Sequence, residues 1–288
     1  MHTNARGHLQ LLSALIRAYP RLIYMRQYIS QTDIDKNGTL FIIGKDFRYL
    51  RNVLRVKAGD MIHVRLPDGS LQPMTVCSVD EKAKKIALQV CDLLDSEKGE
   101  NQPEETDSIE ACEFTLFMAV PKSSKFDLIV RQATECGVAK IVPVQSEFSQ
   151  KGAEKMNFRS ERFERIIKEA RQQSGSPVST KIENCMTLKE AADYWKSESA
   201  NLSNEEKLAV VLYERNDFTV TISEACQKIK NARKCALFCG SEGGISPAEI
   251  EILRESGFSP VHLKTNILRC ETAALYGIAA LQSIVNIC

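Results

Sequence analysis

The chain lacks several sequence features that would by themselves identify its structural class. None of its apolar runs approaches the roughly 18 residues that span a bilayer, so a membrane-spanning helical protein is not expected. Its ten cysteines include no CxxC pair and do not cluster with the four histidines, so we expect neither a disulfide scaffold nor a metal site. The net charge of +1 neither favours nor excludes a nucleic-acid partner. These absences leave an ordinary globular protein of one or two domains with reduced cysteines.

The first 24 residues differ in composition from the rest of the chain. They carry arginines, a leucine-rich stretch and no acidic residue, a composition shared by transit peptides. We favour a simpler interpretation, in which Met25 is the functional start, because MRQYI leads directly into a strand. On that interpretation residues 1–24 are an N-terminal extension outside the mature protein, and we expect a cytoplasmic location.

The remainder divides at an acidic segment. Residues 95–110 contain almost no large apolar side chains, which is typical of a solvated linker. Short β-type runs separated by turn signals fill residues 25–94 and predict a small β-barrel. In residues 111–288, strand-like runs alternate with helical ones, which predicts a mainly parallel sheet covered on both faces. The predicted fold class is therefore α/β, with a small N-terminal β-barrel domain.

One helical segment, 45–56, interrupts the strands of the predicted barrel, with an apolar stripe at helical spacing. Its other face carries four cations, Lys45, Arg48, Arg51 and Arg55. A solvated helix face and a phosphate-binding face both explain this charge, and composition alone favours the solvated face.

Two loop-to-helix junctions near the C-terminus are the most informative part of the chain. They are CGSEGGISPAE (239–249) and KTNILRCETAALYG (264–277), and each follows a predicted buried strand, KCALF (234–238) or VHL (261–263). Junctions of this kind can form one ligand cleft at the carboxyl edge of a parallel sheet. We therefore look for the chemistry of the protein there.

The first junction contains three glycines. Gly240, Gly243 and Gly244 permit a tight turn or the close approach of a ligand. Their spacing fits neither GxGxxG nor GxxxxGK[ST], which argues against a dinucleotide site and a P-loop. A capping box beginning at Ser246 starts the next helix, so only the glycines and Glu242 remain as functional candidates.

The second junction places Arg269 at a helix amino end, where a cation is unfavourable by about 0.3–1 kcal/mol. A residue that opposes its local preference indicates function. Pairing with Glu271 or Glu242 is the structural alternative. The following helix, 273–285, is apolar nearly all round and is predicted to be buried.

Several segments together resemble the RNA methyltransferases of the SPOUT superfamily. The resemblance is greatest to the group that methylates N3 of a uridine in small-subunit (16S) ribosomal RNA, and it runs from Met25 to the C-terminus apart from the acidic linker. The matching segments are MRQYI, YLRNVLRVKAGD, KFDLIVRQATECGVAKIVPVQSE, EARQQSG, GSEGGIS and ILRCETAALYGIAAL.

The resemblance implies a PUA-like N-terminal barrel and a C-terminal trefoil knot, a topology that no periodicity predicts. It also implies S-adenosylmethionine as cofactor and a homodimer in which RNA enters between one protomer's knot and its partner's barrel. The residues it places around the cofactor are Gly240, Glu242, Gly243, Leu263, Asn266, Ile267, Leu268 and Arg269. The residues expected to contact RNA are Arg26, Arg48, Arg51 and Arg55.

Methylation of uridine N3 requires an in-line methyl donor and loss of the imide proton. Positioning can supply most of the rate, about 7–11 kcal/mol of the barrier. Arg269 is the candidate catalytic cation that stabilises the developing N3 anion, and Glu271 is expected to orient it. No histidine is expected in the site, so no general base is assigned.

The chain departs from the family pattern at four positions. Ser241 replaces a usual proline, Lys264 a glycine, and Phe148 and Ser176 replace arginines. Lost arginines would weaken phosphate contacts, and Lys264 could crowd the adenine loop. Two alternatives therefore accompany an active rRNA methyltransferase: a catalytically weak RNA- or ribosome-binding relative, and a SPOUT enzyme with a different RNA target.

Overall fold

The computed structural model describes residues 27–91, 112–215, 218–229 and 231–285, which form two compact units. The first unit contains residues 27–91 and 172–175, and the second contains the rest. The predicted extension 1–24, the linker 95–110 and Arg26 lie outside the described residues.

The first unit is built on a curled five-stranded sheet. Its strands are β1 (Gln27–Ile29), β2 (Thr39–Ile43), β3 (Met61–Arg65), β4 (Leu71–Asp80) and β5 (Lys85–Val90). They lie in the order β1-β3-β4-β5-β2, with β1 parallel to β3 and the other pairs antiparallel. A bulge between Val76 and Ser78 bends β4. The described strands leave β1 and β2 as edges, so the predicted barrel is an open half-barrel.

The core of this sheet follows from alternation along the strands. Successive side chains point to opposite faces, so every second residue can be buried. The buried positions are Leu40 and Ile42, Ile62 and Val64, Met74 and Val76, and Ile86 and Leu88.

The helix predicted over residues 45–56 is shorter and less regular than expected. It consists of α1 (Gly44–Arg48) and a π-helical segment (Tyr49–Val53). Its predicted apolar stripe is buried at Phe47, Leu50 and Leu54. Arg55 lies beyond the helical residues with a φ of +55°, so the prediction of a continuous helix to residue 56 was wrong.

The second unit contains a parallel seven-stranded sheet, which confirms the predicted α/β class. Its strands are β6 (Glu113–Ala119), β7 (Lys140–Gln145), β8 (Lys181–Ile182), β9 (Met186–Thr187), β10 (Lys207–Leu212), β11 (Lys234–Cys239) and β12 (Ser259–Val261). The order is β12-β10-β11-β6-β7-β8, with β9 also paired to β7.

Helices cover both faces of this sheet. They are α2 (Ser123–Glu135), α3 (Glu161–Ser174), α4 (Leu188–Glu198), α5 (Ile222–Cys226), α6 (Pro247–Glu255) and α7 (Cys270–Val285). Along β6, Leu116 and Met118 join the core beneath α2, α3 and α7, whereas Phe117 and Ala119 join the core beneath α4 and α6. Burial on both faces explains why the strands are continuously apolar.

Two local predictions need correction. The strand predicted at 261–263 ends at Val261, so residues 262 and 263 belong to the following loop. Helix α7 begins at Cys270 and is not buried all round. An exposed stripe runs along it, formed by Thr272, Tyr276, Ala279 and Ser283.

The predicted trefoil knot stays a prediction. Among the described residues, no helix is long and apolar enough to cross a membrane.

Gly277 marks the closest approach of α7 to the sheet, since a Cβ there would lie 2.9 Å from Leu237 Cδ2 and 3.0 Å from Leu212 Cδ1. We expect Gly277→Val to lower the free energy of unfolding by about 1–3 kcal/mol through overpacking. Urea unfolding measures this, with exposed Ala279→Val as the matched control. The double variant Gly277→Val with Leu237→Ala should lose less unfolding free energy than the sum of the losses in the two single variants. Losses that add exactly would show that these side chains do not compete for space.

Candidate active site

The two junctions meet at a cavity of about 570 Å³ at the carboxyl ends of β10, β11 and β12. Because β10 lies between the other two strands, its end supplies Leu212, Tyr213 and Glu214 to the wall. The remaining lining comes from segments 239–244, 261–263 and 265–270, and from Lys125 and Ala273. The sheet order thus joins three loops in one cleft.

All eight residues that the family resemblance places around a cofactor line this cavity. They are Gly240, Glu242, Gly243, Leu263, Asn266, Ile267, Leu268 and Arg269. Glu271 does not line it. The structure therefore brings the candidates together, while their individual roles stay predictions.

The glycine loop is tight because its own residues approach one another closely. A Cβ on Gly240 would lie 2.8 Å from the carbonyl carbon of Gly244, which excludes any side chain. Gly244 has a φ of +74°, and its amide donates to the carbonyl oxygen of Ser241 at 3.0 Å. The loop consequently presents mostly backbone to the cavity.

Two departures from the family pattern contact each other beside this loop. Ser241 Oγ donates to the carbonyl oxygen of Phe148 at 2.6 Å. The Phe148 side chain lies against Gly243, where an added Cβ would be 2.6 Å from Phe148 Cβ. A proline at position 241 has no donor that could make this bond. Ser241 and Phe148 thus form one local arrangement.

The other two departures lie outside the cavity lining. Lys264 is exposed, and its charge contributes to lowering the pKa of Glu224, after the larger effects of hydrogen bonds from Thr221. Ser176 is buried, and its Oγ accepts a hydrogen bond from the amide of Val178 at 3.3 Å. The expected crowding by Lys264 therefore has no counterpart in the described lining.

A single ammonium group links the first turn of α2 to both junctions. Lys125 Nζ lies 3.2 Å from Glu242 Oε1 and 3.5 Å from Glu271 Oε2. Glu242 Oε1 also accepts a hydrogen bond from the amide of Lys122 at 3.3 Å, next to the positive end of the α2 dipole. Lys125 and Glu242 therefore hold the glycine loop against α2.

The charges in this network support one another, because one ammonium lies between two carboxylates. Burial raises the pKa of Glu242, but hydrogen bonds from its own amide and that of Lys122, and the Lys125 ammonium, bring the pKa below its ordinary value. Burial also opposes ionisation of Glu271, whose pKa is nevertheless lowered by its own amide, the Cys270 thiol and Lys125. Burial would lower the pKa of Lys125, yet the two carboxylates raise it. All three groups are ionised near neutral pH.

Arg269 is exposed and forms no ion pair within the described part of the chain. The partners expected for it, Glu242 and Glu271, are both paired with Lys125. Among the described residues Glu271 contacts Lys125 rather than Arg269, and its role in orienting Arg269 stays a prediction. Arg269 remains free to meet an anion at the cavity.

The two cysteines beside the cavity are poor nucleophiles. Burial raises the pKa of Cys239 to about 12, helped by Cys270. Burial, together with a hydrogen bond to Glu271, raises the pKa of Cys270 to about 12 as well. Both thiols stay protonated at neutral pH, which argues against a covalent cysteine mechanism.

The expectation that no histidine sits in the site was wrong. His262 lines the cavity, because β12 ends two residues earlier than the sequence indicated. Its Nδ1 is buried and has no hydrogen-bond partner in the described structure. His262 therefore lies at the cavity with an unsatisfied ring nitrogen that is itself buried.

Sequence reasoning also missed Lys125, Tyr213 and Glu214. Tyr213 and Glu214 directly follow the observed strand β10, as the junction residues follow β11 and β12, so strand ends were a usable signal. Lys125 had no such signal, since it lies far from the junctions in sequence and reaches them only in the folded chain.

The candidate RNA-binding arginines of the first unit have different surroundings. Arg48 and Arg55 are exposed. Arg51 is half-buried, forms an ion pair with Glu81 and donates to the carbonyl oxygen of Val56 at 3.3 Å. Arg48 and Arg55 are thus the more available cations.

Comparison with known proteins gives a consistent result. Residues 108–282, more than half of the chain, match the RNA methyltransferase domain family. The chain is 27% identical over 254 residues to ribosomal RNA small subunit methyltransferase E 2 of Borreliella burgdorferi, covering 85% of this chain and 93% of that protein. It is 29% identical to ribosomal RNA small subunit methyltransferase E of Aquifex aeolicus, covering 81% and 95% of the two chains.

The fold has solved counterparts. A crystal structure of ribosomal RNA small subunit methyltransferase E from Neisseria gonorrhoeae, bound to S-adenosyl methionine, superposes with a TM-score of 0.67 at 23% identity. The match covers 90% of this chain and 98% of that chain. At this identity the likeness establishes the fold.

Removing the Lys125 charge tests the network. A carboxyl whose pKa is lowered by folding stabilises the protein at pH values above the pKa that it has in the unfolded chain, near 4.3. This stabilisation is lost as the pH falls through the pKa that the carboxyl has in the folded protein. We expect Lys125→Met to be less stable than the parent at pH 7, with the difference shrinking between about pH 5 and pH 3.

Urea midpoints across that pH range measure the difference, with exposed Lys151→Met as the matched control. A difference that does not depend on pH would show that Lys125 contributes through packing rather than charge.

Proposed function

Because the chain belongs to the RNA methyltransferase domain family, we propose that it transfers a methyl group from S-adenosylmethionine to N3 of one uridine in small-subunit (16S) ribosomal RNA. The observation that carries this proposal is the single cavity lined by all eight residues carried over from the family. The names of the relatives from Borreliella burgdorferi and Aquifex aeolicus support the ribosomal substrate.

The cavity suits the proposed cofactor. Its volume of about 570 Å³ lies within the roughly 300–1,000 Å³ of small-molecule sites. Gly240 and Gly243 offer backbone, and Leu263 and Leu268 offer apolar contact. When bound, S-adenosylmethionine supplies an electrophilic methyl group.

The chain's own contribution is positioning and charge. The walls of the cavity would hold the reacting groups in line, which can be worth about 7–11 kcal/mol of the barrier. Arg269, exposed and without an ion-pair partner among the described residues, would stabilise the negative charge that develops on N3. Glu271 would act on the site through Lys125, the residue that it contacts.

Sequence-independent RNA affinity would come from the cationic face of the first unit. Arg48 and Arg55 are the most available contributors, and Arg51 contributes if its pair with Glu81 opens. Arg26, outside the described residues, is included on the family resemblance alone.

We also propose a cytoplasmic homodimer. The exposed stripe of α7 around Tyr276, itself 47% exposed, is a surface that a second copy could cover. Sedimentation at micromolar concentration tests this, and a purely monomeric chain would contradict it.

The experiment that tests the function is transfer of labelled methyl from S-adenosylmethionine to unmethylated small ribosomal subunits, with the modified base mapped. We expect incorporation at one uridine N3. Cofactor binding without incorporation would favour another RNA target. Absence of cofactor binding would favour the non-catalytic RNA- or ribosome-binding alternative.

Within that assay, Arg269→Ala should lower the methyl-transfer rate about 10²–10³-fold, as loss of an anion-stabilising group does. The melting temperature should be unchanged, because the side chain is exposed. Arg165→Ala, on an exposed face of α3, is the matched control. An unaltered rate would remove Arg269 from the mechanism.

Replacing Arg48 and Arg55 together by Ala should weaken RNA binding and flatten its dependence on salt. The log–log slope should fall by roughly 0.7–0.9 for each lost phosphate contact. Arg51→Ala should change the slope less, since its guanidinium is already paired with Glu81. Filter binding at several salt concentrations measures both. Equal slopes in parent and double variant would mean that this face is only solvated.

A further inference from the structure

Phe148 is an exposed aromatic residue beside the cavity with no assigned role. Its side chain is 44% exposed, in the segment 146–150 that follows β7. Its sequence neighbours Glu147, Ser149 and Gln150 are polar, so the segment itself offers no apolar run beside the ring. A protein-binding surface would normally offer a larger contiguous apolar area.

The backbone that carries this ring is held at every position. The amide of Ser146 donates to Ser149 Oγ at 2.9 Å, and the amide of Glu147 donates to Glu249 Oε1 at 2.8 Å. The Phe148 carbonyl accepts from Ser241 Oγ at 2.6 Å. The amides of Ser149 and Gln150 donate to the carbonyl oxygens of Ser146 and Val120, at 3.1 and 2.9 Å. An exposed ring on so constrained a segment is preorganised for contact.

The ring is also fixed relative to the cavity. A Cβ on Gly243 would lie 2.6 Å from Phe148 Cβ and 2.9 Å from its Cγ, so the ring rests on the bare backbone of a residue that lines the cavity. Two exposed cations lie close in sequence to the residues that hold the ring: Lys122 is two residues after Val120, and Lys151 follows Gln150. Lys151 has no ion-pair partner in the described part of the chain.

We propose that Phe148 is a stacking platform for an unpaired nucleobase of the RNA substrate, at the rim of the reaction cavity. The proposal rests on the proposed function and deepens it. Every base has a π-face, and stacking on an aromatic side chain strengthens single-strand binding without adding a charge contact. A preorganised ring loses little entropy when a base covers it.

The dependence of RNA binding on salt concentration distinguishes stacking from phosphate contact, because only the phosphate contact involves charge. We expect Phe148→Leu, which keeps an apolar contact with Gly243, to weaken binding of unmethylated small ribosomal subunits about tenfold. The salt slope and the affinity for S-adenosylmethionine should stay unchanged. Phe148→Tyr should restore binding. Phe148→Arg should steepen the salt slope by roughly 0.7–0.9, because it adds a phosphate contact. Leu128→Ala, an exposed apolar change on α2 of the same unit, is the matched control.

Several outcomes would overturn the proposal. Phe148→Leu could bind RNA like the parent, lose affinity for the cofactor, or shift the monomer–dimer equilibrium; the last two would assign the ring to cavity support or to a protein interface. If the parent binds RNA in a Phe148-dependent way but transfers no methyl group, the platform stands and the enzymatic proposal fails. If the parent methylates RNA and Phe148→Leu does so equally, the function stands and the platform fails.

Discussion

The parallel sheet of the second unit, buried on both faces, is the constraint on which the rest of the structure depends. Its strands are apolar along their length, so polar chemistry is confined to their ends. The order β12-β10-β11 then brings three carboxyl ends to one edge. Loops that are separated along the chain meet there because the strands they follow are neighbours. The position of the cavity therefore depends on the strand order more than on any single residue.

Electrostatics holds this edge together. Lys125 lies between Glu242 and Glu271, one from each junction, and Glu242 also bonds to the amide of Lys122 at the start of α2. One ammonium between two carboxylates leaves an excess of one negative charge, yet Arg269 forms no ion pair in the described structure. We propose that this exposed cation meets a substrate anion instead.

Two of the four departures from the family pattern, Ser241 and Phe148, are connected rather than independent losses. Ser241 donates to the backbone of Phe148, and Phe148 rests on Gly243, so two substitutions support one another at the rim of the cavity. An arginine contributes charge at such a rim, whereas a phenylalanine contributes a flat apolar face. The substitution therefore changes the kind of contact available to RNA, from salt-dependent to salt-insensitive.

The sequence by itself determined the α/β class and most strand and helix positions, because apolar periodicity and capping boxes are local. The family, and through it the eight residues that line the cavity, came from the resemblance of whole segments to known proteins. Sequence reasoning misjudged the end of β12, which hid His262, and the burial of α7, because both depend on which neighbours cover a segment. Only the tertiary structure decided that Lys125 would take the carboxylates expected for Arg269, and that Ser241 would bond to Phe148. Those contacts join residues far apart in the chain, and distance in space is set by sheet order, which no local pattern encodes.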